Sequence, residues 1–200
     1  RQVLFLVAGP TVALRAEQAT HDDMVLLDIP ESYATLAKKS QTLFHVVDKY
    51  VKGFGYVLKI DDDSFVDVDD LLHVLGELKP DYWGRVWPHA KPHREPDSQW
   101  YVPKETFPLS VYPPFCSGAG YVVSKAFLAC AVPKMSLLPN FGFGEDVATG
   151  ILAQQCDMPP VNSNLVQHLK PANTPFVIRH YVKTFEAMRA LNDKVATRGN

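Results

Sequence analysis

The chain has 200 residues, of which 46% are hydrophobic, and a formal net charge of −2. These values predict one compact domain, residues 1–200, with a sizeable buried core. The near-neutral charge argues against a nucleic-acid-binding surface, and no apolar run reaches the roughly 18 residues that a membrane span requires. The chain enters a strand almost directly after Arg1, without a charged and then apolar leader, and we therefore expect it to be trimmed at its N-terminus from a longer protein.

Strands and helices alternate along residues 1–80. Apolar runs ended by turn residues predict strands at 3–7, 24–27 and 56–60, and the first of these reads as a buried strand. Apolar residues at helical spacing predict one helix from Ser32 to Val51 and another over 68–78, after a short polar helix that ends near Gln18. This alternation predicts an α/β domain with a mostly parallel central sheet and helices on both faces. Residues 1–80 are then a nucleotide-binding half.

Three consecutive carboxylates follow the third strand: Asp61, Asp62 and Asp63. Open α/β sheets place ligands at the carboxyl ends of their strands. Adjacent acids repel one another unless a cation or solvent compensates their charge, and carboxylate oxygens suit Mg²⁺ or Mn²⁺. The stretch therefore predicts a divalent metal site, with a solvated acidic turn as the alternative.

Residues 81–144 are less regular. A strand is predicted at 82–87, and the long proline-rich segment that follows, up to Pro114, is typical of a functional loop or lid. This segment contains Trp100 and Tyr101, which either stack on a sugar or cover the edge of the core. The small residues from Ser117 onward predict a turn into a strand that ends at Ser124, the N-cap of a helix over 125–132.

Two further polar features lie near the C-terminus. Glu145 and Asp146 directly precede a predicted helix over 147–154, where acids either interact with the helix dipole or serve as a general base. His180 follows a predicted strand over 176–179 and is either structural or a metal ligand. The next helix should direct Phe185, Met188 and Leu191 inward.

The three cysteines lack the spacing of a zinc site. An odd number permits one disulfide and one free thiol, or three buried thiols. Cys116 lies between Phe115 and a run of small residues, and we expect it to be packed inside the fold. If Cys116 is oxidised, its partner is Cys130 or Cys156.

Six sequence blocks occur in the order typical of one enzyme family. They are Asp28-x-x-x-Ser32-Tyr33-x-x-Leu36-x-x-Lys39, Tyr56-Val57-x-Lys59-x-Asp61-Asp62-Asp63-x-Phe65-Val66, Tyr82-Trp83-Gly84, Trp100-Tyr101-Val102-Pro103, Tyr112-Pro113-Pro114-Phe115-Cys116-Ser117-Gly118-x-Gly120-Tyr121 and Glu145-Asp146-Val147-x-x-Gly150. Together they resemble the β-1,3-galactosyltransferase family, which is related to the β-1,3-N-acetylglucosaminyltransferases and Fringe. The family's Arg- and Trp-containing opening segment has no counterpart in this sequence, and no disulfide pairing is carried over.

The resemblance implies a GT-A fold and inverting transfer of a hexose, galactose first, from a UDP-sugar to a glycan hydroxyl in a β-1,3 linkage. It places Mn²⁺ on Asp63 and His180, and the donor near Asp61, Asp62 and Lys39.

The resemblance also implies that Asp146 is the general base and that residues 81–200 form the acceptor-side half. Candidate acceptor or donor contacts are Trp100, Tyr101, Glu145 and Gly118. The resemblance also implies a Golgi-lumen enzyme whose full-length form is a type II membrane protein, with an acceptor glycan on a glycoprotein or glycolipid.

Two alternative functions remain. A strand ending in Asp-x-Asp is also typical of haloacid-dehalogenase-type phosphohydrolases, in which Asp61 would be the nucleophile and Asp63 the acid, with Mg²⁺ bound. That family usually has Thr or Val where this chain has Phe65. The other alternative is an inactive, transferase-like glycan-binding module.

Overall fold

The computed structural model describes residues 2–139, 141–142, 144–168 and 174–197. Within these residues the strands are β1 (Phe5–Ala8), β2 (Met24–Leu27), β3 (Tyr56–Ile60), β4 (Phe65–Val66), β5 (Tyr82–Trp87), β6 (Phe115–Ser124), β7 (Val161–Asn162), β8 (Val166–Gln167) and β9 (Ile178–Arg179). The α-helices are α1 (Val12–His21), α2 (Leu36–Tyr50), α3 (Val68–Leu78), α4 (Lys125–Ala131), α5 (Glu145–Gln155) and α6 (Phe185–Ala196). Short 3₁₀ helices cover Tyr33–Thr35 and Val132–Leu137.

The strands of the described residues form three sheets. The central sheet has the order β3-β6-β5-β7, while β1 pairs with β2 and a third sheet has the order β4-β9-β8. The ten-residue β6 is the centre of the molecule, and nearly all of its side chains are buried. The α/β class and the GT-A type of fold are confirmed.

The central sheet is mixed, and the expectation of a mostly parallel sheet was wrong. Both β3 and β5 pair antiparallel with β6, whereas β5 and β7 are parallel. As neighbours of β6 on either side, β3 and β5 run in the same direction, as a β-α-β unit requires. The local pattern of residues 56–87 predicted that unit correctly but contained no sign that a strand 28 residues further on lies between its two strands.

Helices cover both faces of the central sheet, as the sequence predicted. Alternate residues of β6 point to opposite faces. Tyr121 and Val123 join the core beneath α2, α4 and α5, whereas Val122 packs with Leu71 and Leu75 of α3.

A third apolar cluster secures the long segment between β5 and β6. Val102, Phe107 and Tyr112 of this segment pack against Phe141 and the start of α5. Within the segment, the Arg94 guanidinium donates to the carbonyls of Val102, Phe107 and Leu109. The segment is thus an anchored loop, and it borders the cavity described below.

Other element predictions were correct in position and differed in burial. The strands at 24–27 and 82–87 and the Ser124 cap of α4 are as predicted. The first strand is only partly buried, because its sheet has only two strands, and Phe5 is exposed. Phe185 is also exposed, because α6 lies on the surface and buries none of its residues. Ser117 lies inside β6, so the predicted turn is absent there.

A disulfide joins Cys130 at the end of α4 to Cys156 just after α5. Cys116 is the free cysteine and is completely buried in β6, which confirms the prediction of a packed thiol. Among the described residues, no helix combines the length and apolar character needed to cross a bilayer.

Candidate active site

A cavity of about 260 Å³ lies at the carboxyl end of β3. Its wall combines charged residues, among them Lys59 of β3 and Asp146 of α5, with aromatic residues from both halves of the chain. The lining residues are Tyr33, Leu36, Lys59, Asp61, Ala90, Lys91, His93, Trp100, Tyr112, Phe115, Gly118, Glu145, Asp146 and Val147. The structure therefore brings the acidic end of β3 and the acidic start of α5 into one cavity.

Asp61, Asp63 and His180 form a cluster whose potential ligand atoms all lie within 4.8 Å of one another. His180 Nε2 is 3.6 Å from Asp63 Oδ1. The cluster forms because β4, two residues beyond Asp63, pairs with β9, which ends directly before His180. Two carboxylates and one imidazole are a donor set that suits Mn²⁺, and the residues therefore fit this metal.

The hydrogen bonds of His180 leave its Nε2 free to bind a metal. Ser64 donates its hydroxyl to the Ala119 carbonyl at 2.8 Å, so it accepts a hydrogen bond from His180 Nδ1, 3.1 Å away. With the proton on Nδ1, the lone pair of a neutral imidazole lies on Nε2, the atom nearest to Asp63. Ser64 thus fixes the orientation of the His180 ring.

The backbone beyond His180 is unusual and binds the acidic turn. Tyr181 has a φ of 63°, in the left-handed region that non-glycine residues seldom occupy. This turn lets the Val182 amide donate to the Asp63 carbonyl at 2.7 Å. The ring of Tyr181 also packs edge-on against His180. The conformation of Tyr181 therefore fixes the relative positions of two predicted metal ligands.

Asp146 lies in the first turn of α5 with its carboxylate in the cavity. One oxygen accepts the Gly118 amide at 3.3 Å and the other accepts the Val147 amide at 2.8 Å. Burial raises the pKa of Asp146 to about 7, assisted by the neighbouring Glu145 and opposed by the two amides and by Lys59. The bond to Val147 is consistent with a capping role, and the pKa is consistent with a general base.

Glu145 is buried and is bound by two other side chains. It is only 5% exposed, and its Oε1 lies 3.0 Å from the Lys59 ammonium. Its Oε2 accepts the Tyr121 hydroxyl at 2.9 Å. Both carboxylate oxygens are therefore bound within the protein, although Glu145 borders the cavity.

Two further residues of this region, Lys59 and His168, were not among the site residues predicted from the sequence. A lysine in an otherwise apolar strand, on the same face as Asp61 two residues later, was the available signal for Lys59. His168 follows β8 as His180 follows β9, and the parallel register pairs Gln167 with Arg179, so the two rings lie 5.4 Å apart. Burial, then His180 and Arg85, lower the pKa of His168, and its Nε2 lies 3.1 Å from Ser117 Oγ.

Comparison with known proteins identifies the family. The sequence model of the family described as "Galactosyltransferase" matches residues 7–164. The chain belongs to the galactosyltransferase family. Beta-1,3-galactosyltransferase 1 of Mus musculus and of Homo sapiens are each 32% identical to it over 206 residues, which cover 95% of this chain and 62% of the relative. Beta-1,3-galactosyltransferase 2 of Mus musculus is 31% identical over 184 residues, which cover 88% of this chain and 41% of the relative.

This membership confirms the resemblance inferred from the six sequence blocks and speaks against the phosphohydrolase alternative. The chain spans about 62% of the length of the first relatives, and less of the others. In this galactosyltransferase-family chain, five of the predicted site residues line one cavity: Asp61, Trp100, Gly118, Glu145 and Asp146.

The remaining predicted site residues are more dispersed. Lys39 binds both oxygens of Glu31 at 2.9 Å, and Glu31 also accepts the Ala8 amide at the end of β1. Asp62 is exposed at the turn after β3. Tyr101, directly after the cavity residue Trp100, is not among the lining residues.

Proposed function

We propose that this chain is the catalytic part of an inverting, Mn²⁺-dependent enzyme that transfers galactose from UDP-galactose to a glycan hydroxyl in a β-1,3 linkage. The observation that carries this proposal is that the Asp61, Asp63 and His180 cluster lies close to Asp146, a carboxylate whose pKa is raised. Lys59 lies 2.6 Å from Asp61, and it donates to the carbonyl of Gly118, whose amide binds Asp146. A donor at the cluster and an acceptor at Asp146 would thus be neighbours.

Asp63 and His180 would hold the metal, with Asp61 directed to the ribose or sugar of the donor and Asp62 further out. Mn²⁺ bound there would supply positive charge to offset the negative charge that grows on the departing UDP. Ser64 keeps the His180 lone pair available, and Tyr181 keeps His180 beside Asp63. We retain Lys39 as a donor-side residue because it lies at the carboxyl end of β1, the edge at which α/β sheets bind nucleotides.

Asp146 would remove the proton from the attacking acceptor hydroxyl. A general base works best when its pKa is close to the working pH, and the pKa of about 7 meets this condition. The amide of Gly118 fixes one carboxylate oxygen and the amide of Val147 fixes the other. Attack on the face opposite to departing UDP would invert the anomeric carbon.

The aromatic wall of the cavity would receive the acceptor glycan. Trp100 is 44% exposed, and its indole donates to the Tyr33 hydroxyl at 3.0 Å. A partly exposed ring held at a cavity wall can stack on the apolar face of a sugar. We assign the same role to the neighbouring Tyr101, which is also exposed.

The proposed site of action is the Golgi lumen. The Cys130–Cys156 disulfide supports a secretory compartment, because disulfides persist in oxidising environments. The acceptor would then be a glycan on a glycoprotein or glycolipid.

Calorimetric titration of UDP tests the metal part of this proposal. We expect binding heat with Mn²⁺ and none after EDTA, and we expect Asp63→Asn to weaken binding by at least about tenfold. Asp193→Asn, an exposed substitution on α6, is the matched control. Equal UDP affinity with and without EDTA would contradict the metal role.

Release of UDP from UDP-galactose, with and without an acceptor glycan, tests the transfer itself. The proposal predicts that acceptor stimulates UDP release. An inactive glycan-binding module would bind the acceptor and release no UDP.

A further inference from the structure

Lys59 occupies a position that neither the metal cluster nor the general base requires by itself. It is the fourth residue of β3, and its side chain is 13% exposed. Its ammonium contacts acceptors from three separate parts of the fold, namely Asp61 at 2.6 Å, the Gly118 carbonyl at 2.7 Å and Glu145 at 3.0 Å. An ammonium has three hydrogens to donate, and three acceptors are in place.

Glu145, the partner of Lys59 on α5, is itself held by further hydrogen bonds. Glu145 also accepts the Tyr121 hydroxyl, and that hydroxyl lies 3.1 Å from Thr149 Oγ1 on the next turn of α5. A Cβ on Gly118 would come within 2.8 Å of Glu145 Oε1, so only glycine leaves room for the ion pair. The first turn of α5 is therefore attached to β3 through Lys59.

We propose that Lys59 is a positioning residue that ties the donor-side carboxylate Asp61 to the first turn of α5 and so sets the distance between the donor and Asp146. This inference rests on the proposed function, since it concerns the spacing of that site. Asp61 and Glu145 are the two carboxylates that Lys59 holds, and they belong to the donor side and the acceptor side respectively. Lys59 itself acts through these two carboxylates.

A purely structural ion pair predicts a different result from a positioning residue. Removing one partner of a buried ion pair destabilises a protein strongly, whereas replacing both partners by neutral groups of similar size is often tolerated. The double variant Lys59→Met/Glu145→Gln removes both charges while keeping similar volumes. It therefore separates the effect of losing the Lys59–Glu145 ion pair from the effect of unfolding the protein.

The experiment compares wild type, the double variant and Lys134→Met, a substitution of another partly buried, hydrogen-bonded lysine. We expect the double variant to melt within about 4 °C of wild type. Its affinity for UDP with Mn²⁺ should fall by about tenfold, because a partner of a donor-side carboxylate is lost. Its turnover should fall by about a hundredfold, the cost of misplacing reacting groups by about 1 Å. Lys134→Met should match wild type in all three measurements.

A second variant keeps the test decisive if the double variant does not fold. Glu145→Gln weakens the attachment to α5, while Asp61 remains the charge partner of Lys59, so no unpaired charge is left buried. We expect its UDP affinity to stay near wild type and its turnover to fall by about tenfold.

Wild-type affinity and turnover in the folded double variant would overturn the inference and leave the proposed function intact. Wild-type turnover in Glu145→Gln would do the same. If wild type itself shows neither metal-dependent UDP binding nor transfer, the proposed function fails, and the inference fails with it.

Discussion

At the scale of single residues, the two adjacent acids at the start of α5 differ in what surrounds them. Glu145 lies against the Lys59 ammonium and the Tyr121 hydroxyl, so its negative charge is compensated. Two backbone amides bind the Asp146 carboxylate, but among the described contacts no cation lies within salt-bridge distance of it. Burial raises the pKa of Asp146 to about 7. Two neighbouring carboxylates with different environments can serve different functions.

We predict that turnover of the wild type rises with pH through about 7, because Asp146, in its proposed role as the general base, must lose its proton to act. Asp146→Asn should lower turnover by at least about a hundredfold and leave the affinity for UDP and Mn²⁺ close to wild type. Initial rates and calorimetry measured from pH 5.5 to 8 check both. Asp70→Asn, which changes an exposed carboxylate in the first turn of α3, is the matched control.

The same substitution has an independent effect on stability. The pKa of Asp146 is higher in the folded protein than its ordinary value of 3.8, so the folded state binds more protons between these two pH values. The contribution of Asp146 to stability therefore decreases as pH rises from about 4 to about 7. Asp146→Asn removes this decrease, so its stability relative to wild type should improve with pH. A variant that is destabilised equally at all pH values and still transfers sugar would support the capping role instead.

At the scale of elements, the placement of Asp146 depends on how closely α5 approaches β6. Gly150 of α5 faces the start of β6, where an added Cβ would lie 2.9 Å from the Pro114 carbonyl and closer still to Phe115. The glycine therefore lets the helix lie against the strand, and this contact directs the first turn of α5 toward Gly118. The spacing of the Glu145-Asp146-Val147-x-x-Gly150 block has a packing explanation as well as a chemical one.

We predict that Gly150→Ala lowers the free energy of unfolding by about 1–3 kcal/mol, because the new methyl group overpacks the helix–strand contact. Gly76→Ala on α3 is the matched control, since an added Cβ there meets nothing within 4 Å. This control should raise stability by roughly 0.5–1 kcal/mol through the helix preference of alanine. Urea denaturation measures both. Equal stabilities for the two variants would show that the contact at Gly150 is unimportant.

At the scale of the whole molecule, the disulfide links the two helices that pack on the same face of β6. Cys130 and Cys156 are 26 residues apart in sequence, and the loop they close contains the whole connection from α4 to α5 and all of α5, including the first turn that carries Asp146. Closing a loop of this length restricts the unfolded chain. The disulfide thus attaches the end of α5 opposite to the cavity to the end of α4.

We predict that the double variant Cys130→Ser/Cys156→Ser loses about 2–4 kcal/mol of stability. A reductant should lower the melting temperature of wild type and leave that of the variant unchanged, which provides an internal control.

Cys116 should remain unmodified by a bulky thiol reagent in the folded protein, because it is completely buried. A peptide map that places Cys116 in a disulfide would contradict the assignment.

The sequence by itself determined the local structure and the family. Strand β2, strand β5 and the Ser124 cap of α4 were predicted correctly, because hydrophobic period and capping chemistry depend on residues close in the chain. The position of three acids at the carboxyl end of a strand was also a local feature.

Only the tertiary structure decided which distant groups meet. It inserted β6 between β3 and β5, chose Cys130 and Cys156 as the disulfide pair, and placed His180 beside Asp63. It also brought Lys59 to Glu145 on another element and set His168 next to His180. Pairings between residues far apart in sequence depend on how whole elements pack against one another, and local periodicity carries no record of that packing.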